Sequence, residues 1–212
     1  LGTSDTIFGL MTRPRVDPDG AGHVFGAPTG EYMGLTCFSN GSLARERVRD
    51  AYGLSWADFS RALEAAPPGN RGRLLIPWFV PEITPPVRTP GVHRVGLADD
   101  DVAGHVRGVV EAQQMAMALH SRWMGVPIET IHATGGAAAN TSILQVMADV
   151  FGADVYRSIV ANSAALGAAL RAWHADELAD GCRVGWDEIT AHLAAPRRDT
   201  RIAPDPGRHA VY

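Results

Sequence analysis

Hydrophobic and polar positions along the chain alternate between two periods, one that suits strands and one that suits helices. Residues 3–11 are short, β-branched or apolar, and Pro14, Pro18 and Asp19-Gly20 follow as turn signals, which predicts a strand leaving a tight loop. Residues 32–38 predict a second strand, closed by Ser39-Asn40-Gly41-Ser42, a turn that hands over to a helix at about 43–52. Gly53 stops that helix, and Ser55 caps another that carries Trp56, Phe59 and Leu63 at helical spacing until Pro67-Pro68-Gly69. Residues 74–80 are apolar, and 81–90 are proline-rich, which predicts an extended surface loop.

The second half alternates more regularly. Asp99-Asp100-Asp101 put negative charge at the start of the longest predicted helix, where it suits the macrodipole, and Val102, Val106, Val109, Val110, Gln113, Met117 and His120 trace its stripe to about residue 125. A strand over 130–134, a Gly135-Gly136 turn, a helix over 140–151 and a stop at Gly152 come next, then a short strand at Val155 and Tyr156. Helices are expected over 163–173 and 186–193, and residues from Pro196 to Tyr212 read as a poorly ordered tail or an extended strap. Strands with hairpin-like pairing come early and strand–helix alternation follows, so an α/β layered domain is expected; no internal repeat is evident.

Composition narrows the function classes. With 212 residues, 46% hydrophobic and 20% charged, the chain is long enough for its own core. A net charge of -4 gives no electrostatic grip on nucleic acid or an anionic membrane. Every basic residue is an arginine, so a Walker-type phosphate loop, which needs a lysine after its glycines, is excluded. Cys37 and Cys182 read as free thiols of a reducing cytosol, and the scattered histidines offer no zinc-site spacing. No apolar run approaches membrane-span length and no leader is evident, so a cytoplasmic protein is expected.

Three turns join strand ends to small residues: Gly2-Thr3-Ser4, Asn40-Gly41-Ser42 and Thr134-Gly135-Gly136. Glycine lets a backbone approach a bulky anion, freed amides point at it, and hydroxyls add donors without bulk. Three such turns in one α/β domain can converge on one ligand at the strand ends. Local roles stand beside that reading. Asn140 suits a helix cap as well as a ligand contact, Asn162 and Ser163 suit a cap, and Asp149 suits a locally paired carboxylate. Asp5, straight after the first turn, is a metal candidate or a turn-stabilising aspartate, and Gln113 and His120 suit hydrogen-bonded core or interdomain positions.

In order along the chain, Leu1-Gly2-Thr3-Ser4-Asp5-Thr6, Cys37-Phe38-Ser39-Asn40-Gly41-Ser42-Leu43, Glu82-Ile83-Thr84-Pro85, Ala133-Thr134-Gly135-Gly136-Ala137, the helix Ile143 to Phe151, and Ala161-Asn162-Ser163-Ala164-Ala165-Leu166-Gly167 resemble the C-terminal domain of the FGGY carbohydrate kinases. The likeness covers roughly residues 1–175 and leans toward the xylulokinase type. It implies an actin-like, ribonuclease-H-like ATPase domain, a mixed sheet with flanking helices, that uses ATP and Mg2+ and transfers the γ-phosphate to a sugar hydroxyl, D-xylulose being favoured over ribulose, glycerol or gluconate. It also implies that Gly2, Thr3 and Ser4 cradle phosphates, and that Asn40, Gly41, Gly135, Gly136 and Asn140 contact the nucleotide.

The resemblance places the catalytic aspartate upstream of Leu1, in an N-terminal domain that would be this chain's first partner. Residues 1–195 are therefore expected to form the nucleotide-binding domain, cut within its first strand, with 196–212 as an Arg/Pro-rich tail. A homodimer is an open option, no catalytic or metal residue is assigned within the chain, and the isolated chain is expected to be inactive. The competing reading is a non-catalytic actin-like nucleotide-binding or interaction module.

Overall fold

The computed structural model describes residues 1–158, 162–191 and 198–212. β1 (Asp5–Met11) and β3 (Tyr32–Phe38) pair antiparallel from Asp5 opposite Phe38 to Met11 opposite Tyr32, and β2 (Gly22–Gly26) lies antiparallel on the other edge of β3. β4 (Leu74–Trp78) and β5 (Gly91–Val95) form an antiparallel pair, while β6 (Thr130–Ala133) and β7 (Asp154–Arg157) run parallel, with Ile202 adding an antiparallel bridge to Val155. Parallel and antiparallel pairings thus coexist, distributed over three small sheets among the described residues. β2 and β5 were not expected from the sequence: His23 to Gly26 and His93 to Val95 are exposed, so they lack the in–out alternation that marks a half-buried strand.

The helices follow their caps. α1 (Ser42–Ala51) starts directly behind Gly41, and α2 (Trp56–Ala65) opens on a capping box between Ser55 and Asp58. α3 (Val102–His120) is capped by Asp101, and α4 (Thr141–Phe151) runs from an Asn140 cap to a left-handed Gly152. α3 ends before the expected residue 125, because a separate 3-10 turn at Arg122–Met124 swings Trp123 over Gly22, where its indole N–H donates to Thr36 Oγ1 at 3.0 Å. α5 (Ser163–Ala179) extends past the expected 173, and α6 (Trp186–Thr190) falls within the expected helix, whose last residues lie outside the described ones, as does the proposed domain boundary at 195. None of the described helices is long and apolar enough to cross a membrane.

The main core joins Val48 of α1, Phe59 and Leu63 of α2, Leu75 of β4, Val106, Val109 and Val110 of α3, and Ile143, Val146 and Val150 of α4. A second cluster sets Phe38, Met117, Ala133, Leu144, Met147 and Val155 beneath the strands. α3 therefore packs between the two halves of the chain, and its two faces serve both clusters.

Residues 198–212 run back over this body and end in α7 (Pro206–His209). Asp205 N donates to Asp149 Oδ1 at 2.9 Å, so the Asp149 carboxylate is a buried anchor for this segment. Tyr212 donates to Glu111, whose carboxylate also takes Arg107 and the Gly69 amide. Burial first, and then the hydrogen bond to Glu111, push the Tyr212 phenol up to about 12. A phenol with a raised folded-state pKa contributes stability that is fully present below its unfolded value near 10 and is lost as pH rises through about 12. Tyr212→Phe is expected to lower the melting temperature at neutral pH and to flatten its fall between about pH 10 and 12, read by scanning calorimetry across pH.

Candidate functional site

The three small-residue turns meet. The Gly2 carbonyl accepts the Ser42 amide at 2.8 Å, and the Leu1 nitrogen donates to the Thr134 carbonyl at 2.7 Å. Gly41 is so close to the first turn that a Cβ there would lie 2.6 Å from Asp5 N, 2.7 Å from Thr3 O and 2.8 Å from the Ser4 carbonyl carbon. Gly135, at φ +90°, leaves no more room: a Cβ there would run into the Leu1 carbonyl oxygen. Glycine is required at both places by backbone contact, and at Gly135 also by the positive φ. Gly136 differs, since nothing lies within 4 Å of its Cβ position.

Thr3 and Ser4 are exposed at this junction, and Thr134 Oγ1 meets Ser163 Oγ at 3.2 Å. Gly2, Ser4, Thr134, Gly135, Asn162 and Ser163 line one end of a cavity of about 820 Å3 whose long walls are β1 and β6. Asn162 caps α5 through Ala165 N and also lines the cavity.

The two predicted asparagines are turned to structural work. Asn140 accepts from the Ser142 and Ile143 amides and donates to Ser60 Oγ at 2.8 Å, which ties the start of α4 to α2. Asn40 is buried, exchanges hydrogen bonds with both backbone groups of Val80 and donates to Glu82. Its side chain therefore faces away from the turn cluster, and only its backbone contributes there.

Sequence reasoning missed what lies behind the turns. Asp5 does not present a free carboxylate to a metal: it is 1% exposed, and Arg45 forks onto both of its oxygens, at 2.7 and 3.1 Å. Arg45 reaches Gln113 Oε1 at 2.6 Å and Ser42 Oγ at 3.0 Å, and the Gln113 amide donates to the carbonyls of Asn40 and Gly41. Glu82 accepts from four donors, the amides of Ser39, Asn40 and Ile83 and the Asn40 side chain. The signal available in the sequence was Glu82 within the Glu82-Ile83-Thr84-Pro85 stretch and Arg45 on the inner face of α1 three residues after Ser42. Among the described residues no group of three or more acids, histidines or cysteines could hold a metal ion.

A glycine-rich cluster of strand-end turns, backed by buried ion pairing, is set here in a mixed α/β domain of helices and small sheets. The comparisons make this particular. Residues 1–175 match the FGGY family of carbohydrate kinases, C-terminal domain, and the chain belongs to that family. It is 41% identical to the xylulose kinase of Rattus norvegicus over 223 residues, spanning 100% of this chain and 40% of that protein, and 36% identical to xylulose kinase 2 of Arabidopsis thaliana over 82% of this chain. A ligand-bound xylulose kinase from Lactobacillus acidophilus shares the fold at a TM-score of 0.85 with 22% identity, over 100% of this chain and 43% of that one. The glycerol kinase of Plasmodium falciparum with ADP shares it at 0.73 and 14% identity, over 99% of this chain and 43% of that one. The chain thus spans about 40% of the length of the curated relatives it matches.

Proposed function

We propose that this chain is the nucleotide-holding side of an ATP-dependent sugar kinase that converts D-xylulose to D-xylulose 5-phosphate. The convergence of the Gly2-Thr3-Ser4, Gly41 and Gly135 turns carries the reading, because it sets Gly2, Ser4, Thr134 and Gly135 on one cavity, where a polyphosphate would meet glycine backbone and small hydroxyls. The xylulose kinases among the relatives support the sugar.

In this reading Gly2, Thr3 and Ser4 take the terminal phosphates and the Asn40–Gly41 backbone flanks them. Gly135 and Gly136 let the nucleoside lie against the turn, and Asn140 holds the start of α4 in register beside it. Backbone donors do the holding, so no lysine is needed. Magnesium, which neutralises phosphate charge in such transfers, comes bound to the nucleotide; the described residues of this chain offer no carboxylate set for it, and Asp5 is engaged by Arg45. The sugar, the base that takes its hydroxyl proton and the other wall of the cleft belong to the rest of the kinase. The setting is cytoplasmic.

Phosphoryl transfer depends on positioning and charge neutralisation from both sides of the cleft. The 212-residue polypeptide is therefore expected to bind ADP weakly, at about millimolar concentration, without closure to tighten the site, and to leave xylulose unphosphorylated. Isothermal calorimetry with ADP and a coupled assay with ATP and xylulose check both. A folded chain with no ADP heat at millimolar concentration overturns the nucleotide assignment, and turnover by the chain alone overturns the division of labour.

A further inference from the structure

We propose that Arg45 is a positioning residue of the phosphate-facing turns, acting through Asp5, Ser42 and Gln113. The inference rests on the nucleotide reading above. The Arg45 side chain is 1% exposed, so it presents no charge to a ligand directly. Its guanidinium instead contacts three elements at once. The fork on Asp5 holds the first residue of β1, immediately after Ser4. The bond to Ser42 Oγ holds the first residue of α1, whose amide is already fastened to the Gly2 carbonyl. The bond to Gln113 Oε1 fixes the amide of that side chain so that Nε2 faces the Asn40 and Gly41 carbonyls, at 2.7 and 2.9 Å.

The arginine and aspartate charges offset each other, so the pair adds little net field at the turns. Burying such a pair is costly, and stability alone does not explain it. Its distinctive property is geometry. A planar fork with several fixed donors can orient three partners simultaneously, which an ammonium cannot do. The two turns that Arg45 couples are the ones assigned to phosphates, whereas Gly135, Gly136 and Asn140, assigned to the nucleoside, lie outside its hydrogen bonds. Loss of the fork should therefore loosen phosphate recognition and spare the nucleoside.

The test titrates ADP and adenosine separately into the 212-residue chain and its variants, by NMR or calorimetry, with thermal melts to establish folding. In Arg45→Lys the ADP dissociation constant is expected to rise about tenfold, the scale of one lost charge-assisted hydrogen bond, while that for adenosine changes less than about twofold. Gln113→Leu, which keeps Arg45 and Asp5, is expected to move the ratio in the same direction by a smaller factor, and it supplies the reading if Arg45→Lys does not fold. Equal weakening of ADP and adenosine, as a general structural role would give, overturns the proposal, and so does an unchanged ratio in folded variants. A wild-type chain that binds adenosine but not ADP overturns the phosphate assignment itself, and with it the role of Arg45.

Discussion

Gly41→Ala is expected to abolish ADP binding and to lower the melting temperature of the chain by on the order of 10 °C, the equivalent of about 3 kcal/mol or more. The added Cβ would meet Asp5 N, Thr3 O and the Ser4 carbonyl carbon at 2.6 to 2.8 Å. All three are backbone atoms of the turn that follows Gly2, so no side chain can rotate away. Relief requires that β1 and α1 separate, which breaks the Ser42 to Gly2 hydrogen bond and draws Asp5 off Arg45. Gly136→Ala is the matched control: its Cβ would meet nothing within 4 Å and its φ is not positive, so the melting temperature stays within about 1–2 °C of wild type. Paired scanning calorimetry of the two variants separates a requirement for close backbone packing from a general intolerance of alanine.

Glu82→Ala is expected to cost about 3–5 kcal/mol, read from urea unfolding. The carboxylate is 8% exposed and accepts from Ser39 N, Asn40 N, Asn40 Nδ2 and Ile83 N. Removing it takes the acceptor from the three backbone amides, the Asn40 amide among them buried, and leaves Asn40 Nδ2 with only its bond to the Val80 carbonyl, a larger penalty than the net worth of the bonds themselves. Glu82→Gln is not a rescue, because its amide nitrogen would turn a donor toward either the Ser39 and Ile83 amides or the Asn40 groups, which are donors too. Both variants should also weaken ADP more than adenosine, since the Ser39–Asn40 backbone leads straight into Gly41. A stability loss below about 1 kcal/mol would mean that water enters to satisfy the donors and that Glu82 does not set the turn.

The two glycine variants and the two glutamate variants bear on different kinds of legibility. Gly41 and Gly135 were visible as candidates because glycine at a strand end is a local signal with a local meaning. The reason each must be glycine was not visible, since the atoms they would strike belong to residues 3–5 and to Leu1. Asn140 was readable as a helix cap, and its two accepted amides lie two and three residues on. Its donation to Ser60, on another helix, was not. Asp5 was weighed as a metal candidate and as a turn-stabilising aspartate; the structure pairs it with Arg45, forty positions away. His120 lies on the expected stripe of α3, half-buried beside the Phe38 ring with centroids 6.3 Å apart.

What the chain settled locally was the set of parts: β1 and β3 from β-branched and apolar runs, α2 from its Ser55–Asp58 box, α4 from Asn140 to Gly152, and three glycine turns at strand ends. These depend on φ/ψ preference, capping and periodicity, all of which act within a few residues. Tertiary structure alone decided that the turns meet, that β2 and β5 exist as exposed pairing partners, and that residues 198–212 return to Asp149 and Glu111. The pairings of β2 and β5 join residues about 6 to 21 positions apart, and the meeting of the turns and the return of 198–212 rest on hydrogen bonds and buried charges about 40 to 130 positions apart; their strength comes from exclusion of water by the core and leaves no periodic mark in the sequence.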